Sequence, residues 1–99
     1  MIELKNSSDF DSFISEQLVL VVFFAEWCGP CRMLESVLSD FSLSRSDVKV
    51  VKINVDVLEK LARRFGVMSI PTLILFKDGK EFDRKIGYMS QDDLNNWIN

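Results

Sequence analysis

Trp27-Cys28-Gly29-Pro30-Cys31 holds both cysteines of this 99-residue chain, and no histidine accompanies them. Two thiols separated by two residues, placed where an apolar run gives way to a helical pattern, have the arrangement of a dithiol–disulfide redox centre. The run before them, Leu18 to Ala25, is continuously apolar and ends at Glu26. After them Met33, Leu34, Val37, Leu38 and Phe41 recur at helical spacing and form one stripe. In the first turn of a helix, residues i and i+3 share a face with their Cβ atoms about 5–6 Å apart. A disulfide needs Cα atoms roughly 4.4–6.8 Å apart, so Cys28 and Cys31 can open and close with little backbone movement.

Position separates the two sulfurs. Cys28 falls at the helix N-terminus, where unpaired N–H groups and the helix dipole favour thiolate over thiol. Its pKa is expected below the ordinary value of about 8.5. Cys31, one turn inside, is expected to be more buried and more thiol-like. Cys28 is therefore assigned as nucleophile and Cys31 as the resolving cysteine. Pro30 suits a first helical turn, where its missing N–H is no loss, and Gly29 permits a backbone excursion between the sulfurs. Two blander readings compete. A structural disulfide would close so short a loop that little chain entropy is removed from the unfolded state. A zinc site needs four ligands, and two thiols without imidazole do not supply them.

Composition bounds the rest. A chain of 99 residues can bury only about 60–65% of its unfolded surface, but eight phenylalanines and a 47% hydrophobic content make a dense core feasible. One domain over residues 1–99 is expected, with no repeat, linker or low-complexity segment. The formal net charge of −3 argues against a nucleic-acid surface. No stretch approaches the ~20 apolar residues of a membrane span, and the polar first 17 residues offer no signal-peptide core. A reactive dithiol without a targeting signal points to a reducing cytoplasm.

The elements that must position the cysteines follow from periodicity. Ile2 to Leu4 reads as a short strand, and Ser7 or Ser8 as the cap of a helix with Phe10, Phe13 and Ile14 on its apolar face. Leu18 to Phe24 reads as a central strand covered on both sides. The cysteine-bearing helix runs to about Ser42. Val48 to Ile53 is the next strand, giving a βαβ unit with parallel strands and a right-handed crossover. Asp56 and Glu59 form an acidic helix-start pattern. Leu58, Leu61, Ala62 and Phe65 make that helix's stripe, and Gly66 ends it. Thr72 to Phe76 and Glu81 to Ile86 flank Lys77-Asp78-Gly79-Lys80, a hairpin signal. Ser90 with Asp93 opens a last helix packing through Leu94, Trp97 and Ile98. The fold class is α/β, with parallel and antiparallel parts in one sheet; the pattern does not specify strand order.

Ala25-Glu26-Trp27-Cys28-Gly29-Pro30-Cys31-Arg32-Met33 and Ser69-Ile70-Pro71-Thr72 resemble the two signature segments of the thioredoxin family. The similarity extends through Lys52-Ile53-Asn54-Val55-Asp56, Phe76-Lys77-Asp78-Gly79 and Gly87, essentially the whole chain. The resemblance implies a thioredoxin fold, a central mixed sheet flanked by four helices. It implies a cytoplasmic protein disulfide reductase, regenerated by an NADPH-dependent flavoprotein, thioredoxin reductase, and acting on protein disulfides. A monomer is expected, and neither a metal nor a bound cofactor is required. It also implies a cis Ile70–Pro71 bond beside the cysteines, where pattern alone allows an ordinary strand-initiating proline. The backbone of Ile70 would pair with an extended substrate peptide as an added strand. Trp27, Gly29, Pro30, Ile70, Gly87 and Tyr88 match the family's exposed apolar rim, with a core aromatic as the alternative for Trp27. Tyr88 replaces a smaller residue, which would narrow the groove.

Three departures from the family pattern stand out. Val22, six residues before Cys28, replaces a buried aspartate that assists proton transfer at the resolving cysteine. Lys52 matches the lysine that lies near that aspartate, so it is expected to lack a partner and to snorkel to solvent. Ser36 replaces a proline inside the active-site helix, which removes the commonest cause of a kink, and Phe24 stands where a second tryptophan is usual. None of these removes the thiol chemistry; Val22 bears on its rate and pH dependence. The reading is a disulfide reductase. The alternatives are a redox-independent binding module that uses the apolar rim, and a net oxidant or isomerase, which the missing export signal disfavours.

Overall fold

The computed structural model describes residues Met1 to Asn99. Five strands, β1 (Ile2–Glu3), β2 (Leu18–Phe24), β3 (Lys49–Asn54), β4 (Thr72–Lys77) and β5 (Lys80–Ile86), form one sheet in the order β1-β3-β2-β4-β5. The helices are α1 (Phe10–Phe13), entered through a 3-10 turn at Ser7–Asp9, α2 (Gly29–Ser44), α3 (Glu59–Arg64) and α4 (Gln91–Trp97). β1, β3 and β2 are parallel, whereas β4 runs antiparallel to both β2 and β5. The β2–α2–β3 unit is the predicted parallel crossover, and it leaves β2 at the centre of the sheet.

Central placement explains the unbroken apolar run of β2. Val19, Val21 and Phe23 face one side, packing with Phe10, Ile14, Leu61 and Ala62 beneath α1 and α3. Leu20 and Val22 face the other side, packing with Leu34, Leu38 and Phe41 of α2 and Leu94 of α4. Both layers must be apolar because each side chain on β2 meets a helix. Phe10, Phe65 and Phe76 close the first layer with ring centroids 5.2–5.9 Å apart. The Asp78-Gly79 turn joins β4 to β5 with positive φ at both residues (52° and 82°), the backbone hand that matches the twist of a hairpin.

Local signals need adjustment at three places. Asn6, not Ser7 or Ser8, caps the first helical segment, its side chain accepting from the Ser8 N–H. α2 runs to Ser44, two residues past the expected end, and Met33 of its supposed stripe is exposed. α3 starts at Glu59 after Leu58, so Asp56 is not its cap. α4 follows expectation: Ser90 and Asp93 form a reciprocal capping box, and Leu94 and Ile98 are buried.

Two polar braces hold α4 in place. Arg45, at the end of α2, donates to both Asp47 oxygens and, across 2.7 Å, to the Ile98 carbonyl. Trp97 Nε1 donates to Asp83 Oδ2 of β5 at 2.8 Å. That bond, together with the Arg84 backbone N–H, holds the Asp83 carboxyl below the usual carboxylate range.

Candidate active site

β2 delivers the chain to the cysteines. After Phe24, the Cys28 N–H bonds back to the Ala25 carbonyl at 3.2 Å, closing a tight turn. Cys28 is itself the N-cap of α2, with extended φ and ψ (−84°, 114°), and its Sγ accepts the Cys31 N–H at 3.3 Å. Its carbonyl accepts the first helical bond from Arg32, and the Arg32 guanidinium is anchored on the Glu26 carbonyl at 3.0 Å. Pro30 lies in the first turn, as expected of a residue with no N–H to leave unpaired. Cys28 and Cys31 form a disulfide with Cα atoms 5.2 Å apart.

The sequence expectation that Cys31 would be the more buried cysteine is not met. Cys28 is 5% exposed and Cys31 7%, so burial does not distinguish them. Position does: only Cys28 Sγ caps the helix and receives a backbone donor, the arrangement that favours negative charge on sulfur. Gly29 also needs a different account. It is the first residue of α2 and has no positive φ, so conformational latitude is not what it contributes. A Cβ there would meet nothing within 4 Å; its effect is to keep the surface beside the sulfurs free of a side chain.

The second signature segment packs directly on the first. The Ile70–Pro71 bond is cis, as the resemblance implied, and Pro71 is buried at the start of β4. The Ile70 carbonyl oxygen lies 3.8 Å from Cys28 Sγ, and the Ile70 side chain packs against the cluster of Phe24, Ala25, Cys28 and Cys31. Neither the N–H nor the C=O of Ile70 pairs with another backbone group. Gly87 donates its N–H to the Pro71 carbonyl at 2.8 Å with φ of 98°, a conformation open to glycine and costly to other residues. Tyr88 follows it and is exposed, as are Pro30 and Met68, the latter two residues before Ile70. Trp27 is 67% exposed, which excludes the core alternative. Its indole N–H reaches Asp56 Oδ2 at 2.8 Å.

The departures resolve in space. Val22 is buried in the α2-side layer. Lys52, its register partner on β3, does not snorkel unpaired to solvent. Its Nζ sits 2.6 Å from Glu35 Oε2 of α2 and 4.6 Å from the centroid of the Phe24 ring. Replacing tryptophan by Phe24 thus leaves an aromatic face for the ammonium to rest on. α2 passes through Ser36 as one continuous helix. Two site residues escaped the sequence reading. Glu35 carried a signal in its i+4 spacing from Cys31, but nothing on the sequence named its partner. Asp56 has the residue type and sequence position of a helix cap, yet its side chain serves Trp27.

The comparisons with known proteins agree with this geometry. The Thioredoxin family model matches residues 1–99. A thioredoxin of Chlamydia caviae is 50% identical over 99 residues, covering 100% of this chain and 97% of the relative. One of Rickettsia prowazekii is 45% identical over 86 residues, 86% of this chain and 82% of the relative. Among solved structures, a mutant thioredoxin from Halobacterium salinarum superposes with a TM-score of 0.90 at 37% identity, covering 98% of this chain and 86% of that one. A thioredoxin from Nicotiana alata gives 0.89 at 40% identity, with 98% and 88% coverage. A redox-capable cysteine pair at a helix N-terminus, the Ile70–Pro71 loop packed against it and a match over the full length leave one assignment: the chain belongs to the thioredoxin family and is a thiol–disulfide oxidoreductase.

Proposed function

We propose that residues 1–99 act as one monomeric domain that reduces protein disulfides in the cytoplasm and is itself re-reduced by an NADPH-dependent flavoprotein, thioredoxin reductase. In this cycle the Cys28 thiolate attacks a substrate disulfide. A mixed disulfide forms, and the first substrate sulfur leaves with the electron pair of the broken bond. Cys31 then attacks Cys28 Sγ, releases the second substrate sulfur and leaves the Cys28–Cys31 disulfide. The observation that carries the division of labour is the Cys31 N–H donated to Cys28 Sγ at the helix cap, since a thiolate is the better acceptor for that donor.

The free backbone edge of Ile70, 3.8 Å from the attacking sulfur, supports docking of an extended peptide as an added strand. Trp27, Gly29, Pro30, Gly87 and Tyr88 supply a rim on which apolar substrate side chains rest. Insulin reduction with NADPH and a thioredoxin reductase tests the reading. Turnover that is lost when both cysteines become serine supports it; no turnover with the intact chain would overturn it in favour of a binding role.

A further inference from the structure

The resolving step needs Cys31 as thiolate, and a thiol with an ordinary pKa of about 8.5 is mostly protonated at neutral pH. Burial to 7% exposure raises the cost of the charge further. The backbone donor at the cap serves the other sulfur. Something else must receive the Cys31 proton, and the cleft that Cys31 lines contains the candidates.

That cleft has a volume of about 360 Å³ and is lined by Phe24, Ala25, Glu26, Cys31, Arg32, Glu35 and Lys52. It exceeds the roughly 30 Å³ share of a single water many times over, so it can admit a short water chain. Four charged residues share the lining of that cleft with Cys31: Glu26 from the preceding loop, Arg32 and Glu35 from α2, and Lys52 from β3. Arg32 is committed to the Glu26 carbonyl. Glu35 lies one helical turn beyond Cys31 on the same face. Lys52 Nζ holds its Oε2 at 2.6 Å and is in turn seated on the Phe24 ring. The Lys52 side chain is 13% exposed and that of Glu35 49%, so the carboxylate spans the cleft and the solvent. Glu26 has no comparable anchor among the ion pairs.

We propose that Glu35, positioned by Lys52, accepts the Cys31 proton through water in this cleft and delivers it to bulk solvent. The inference rests on Cys31 being the resolving cysteine. The step balances without a further reagent. The Cys31 S–H proton passes to the Glu35 carboxylate, and the Cys31 thiolate bonds to Cys28 Sγ. The Cys28–substrate S–S bond breaks, and its electron pair leaves with the substrate sulfur. Glu35 then returns its proton to solvent. Lys52 is a positioning residue that also brings a positive charge to the cleft that Cys31 lines.

Stopped-flow mixing of the reduced protein with equimolar dithiobis(nitrobenzoate) separates the two steps as two phases of coloured thiolate release. Glu35→Gln should slow the second phase about tenfold at pH 7, less than the usual hundredfold or more of acid–base catalysis because the fraction of Cys31 already ionised still attacks, and leave the first phase unchanged. The deficit should vanish above the Cys31 pKa, where the thiol ionises unaided. Glu35→Asp should restore part of the rate, Lys52→Met should slow the second phase, and Glu26→Gln should not. An unchanged second phase in Glu35→Gln at every pH, or a larger effect from Glu26→Gln, overturns the proposal. If instead the first phase survives Cys28→Ser, the cysteine assignment itself has failed, a result distinct from failure of the relay.

Discussion

Trp27 Nε1 donates to Asp56 Oδ2 at 2.8 Å, tying the loop ahead of the cysteines to the turn that follows β3. Asp56 is set by its own backbone, whose N–H bonds to Asn54 Oδ1 at 2.9 Å, and Asn54 is buried at the end of β3. An indole that is 67% exposed would otherwise sample several rotamers. The bond holds the ring of the residue next to Cys28 in one orientation.

Asp56→Ala should therefore loosen Trp27 without unfolding the chain. Losing one hydrogen bond of about 1 kcal/mol corresponds to roughly a fivefold rise in KM for insulin. Stability should fall by no more than about 1 kcal/mol, the worth of that one bond. Steady-state reduction, tryptophan emission and urea unfolding check the three parts; an unchanged KM and emission would show that the bond does not position the ring.

On the proposed division of labour the sulfur at the helix cap attacks, so Cys31→Ser should trap substrate proteins as mixed disulfides through Cys28, with nothing left to resolve the product. Cys28→Ser should trap few. Alkylation followed by non-reducing electrophoresis and mass spectrometry reads the outcome. Preferential trapping by the surviving Cys31 would reverse the assignment.

Val22→Asp should destabilise the oxidised protein by about 1–3 kcal/mol at neutral pH, the range for a polar group buried without full compensation. Val22 is 1% exposed among Leu34, Leu38 and Leu73, and its register partner Lys52 is engaged with Glu35. Burial would raise the pKa of the new carboxyl, so the deficit should shrink as pH falls and the acid becomes neutral. Urea unfolding at several pH values decides it, and a variant as stable as wild type at pH 7 would contradict the packing argument.

Asp83 gives a pH dependence of opposite sign. Its folded-state carboxyl is held down first by the Trp97 indole N–H and then by the Arg84 backbone N–H. A depressed folded pKa contributes stability above the unfolded value of about 3.9, and that contribution is lost as pH falls through the folded value. Wild type should thus be more stable than Asp83→Asn at pH 7, with the gap closing below about pH 4. Unfolding midpoints from pH 7 down to about pH 2 test it; a gap independent of pH would mean that ionisation of Asp83 contributes nothing.

Periodicity and turn chemistry are local, and where they govern, the chain declares its structure. The all-apolar β2, the Asp78-Gly79 hairpin, the Ser90–Asp93 capping box and the spacing of Cys28 and Cys31 each depend on residues a few positions apart, so they were legible in the residues themselves. The redox chemistry followed from that last spacing. Relationships across the sheet were not legible, because a side chain's partner there is chosen by strand order and register. Lys52 meets Glu35 only because β3 lies beside β2 under α2, and no local pattern specifies that neighbour. Asp56 has the residue type of a helix cap, yet the turn after β3 aims it at Trp27. The near-equal burial of the two cysteines arises in the same way, since Ile70, distant along the chain, packs against the cluster that holds both. Local sequence selected the reacting atoms; the tertiary fold decided which charges, rings and backbone edges surround them.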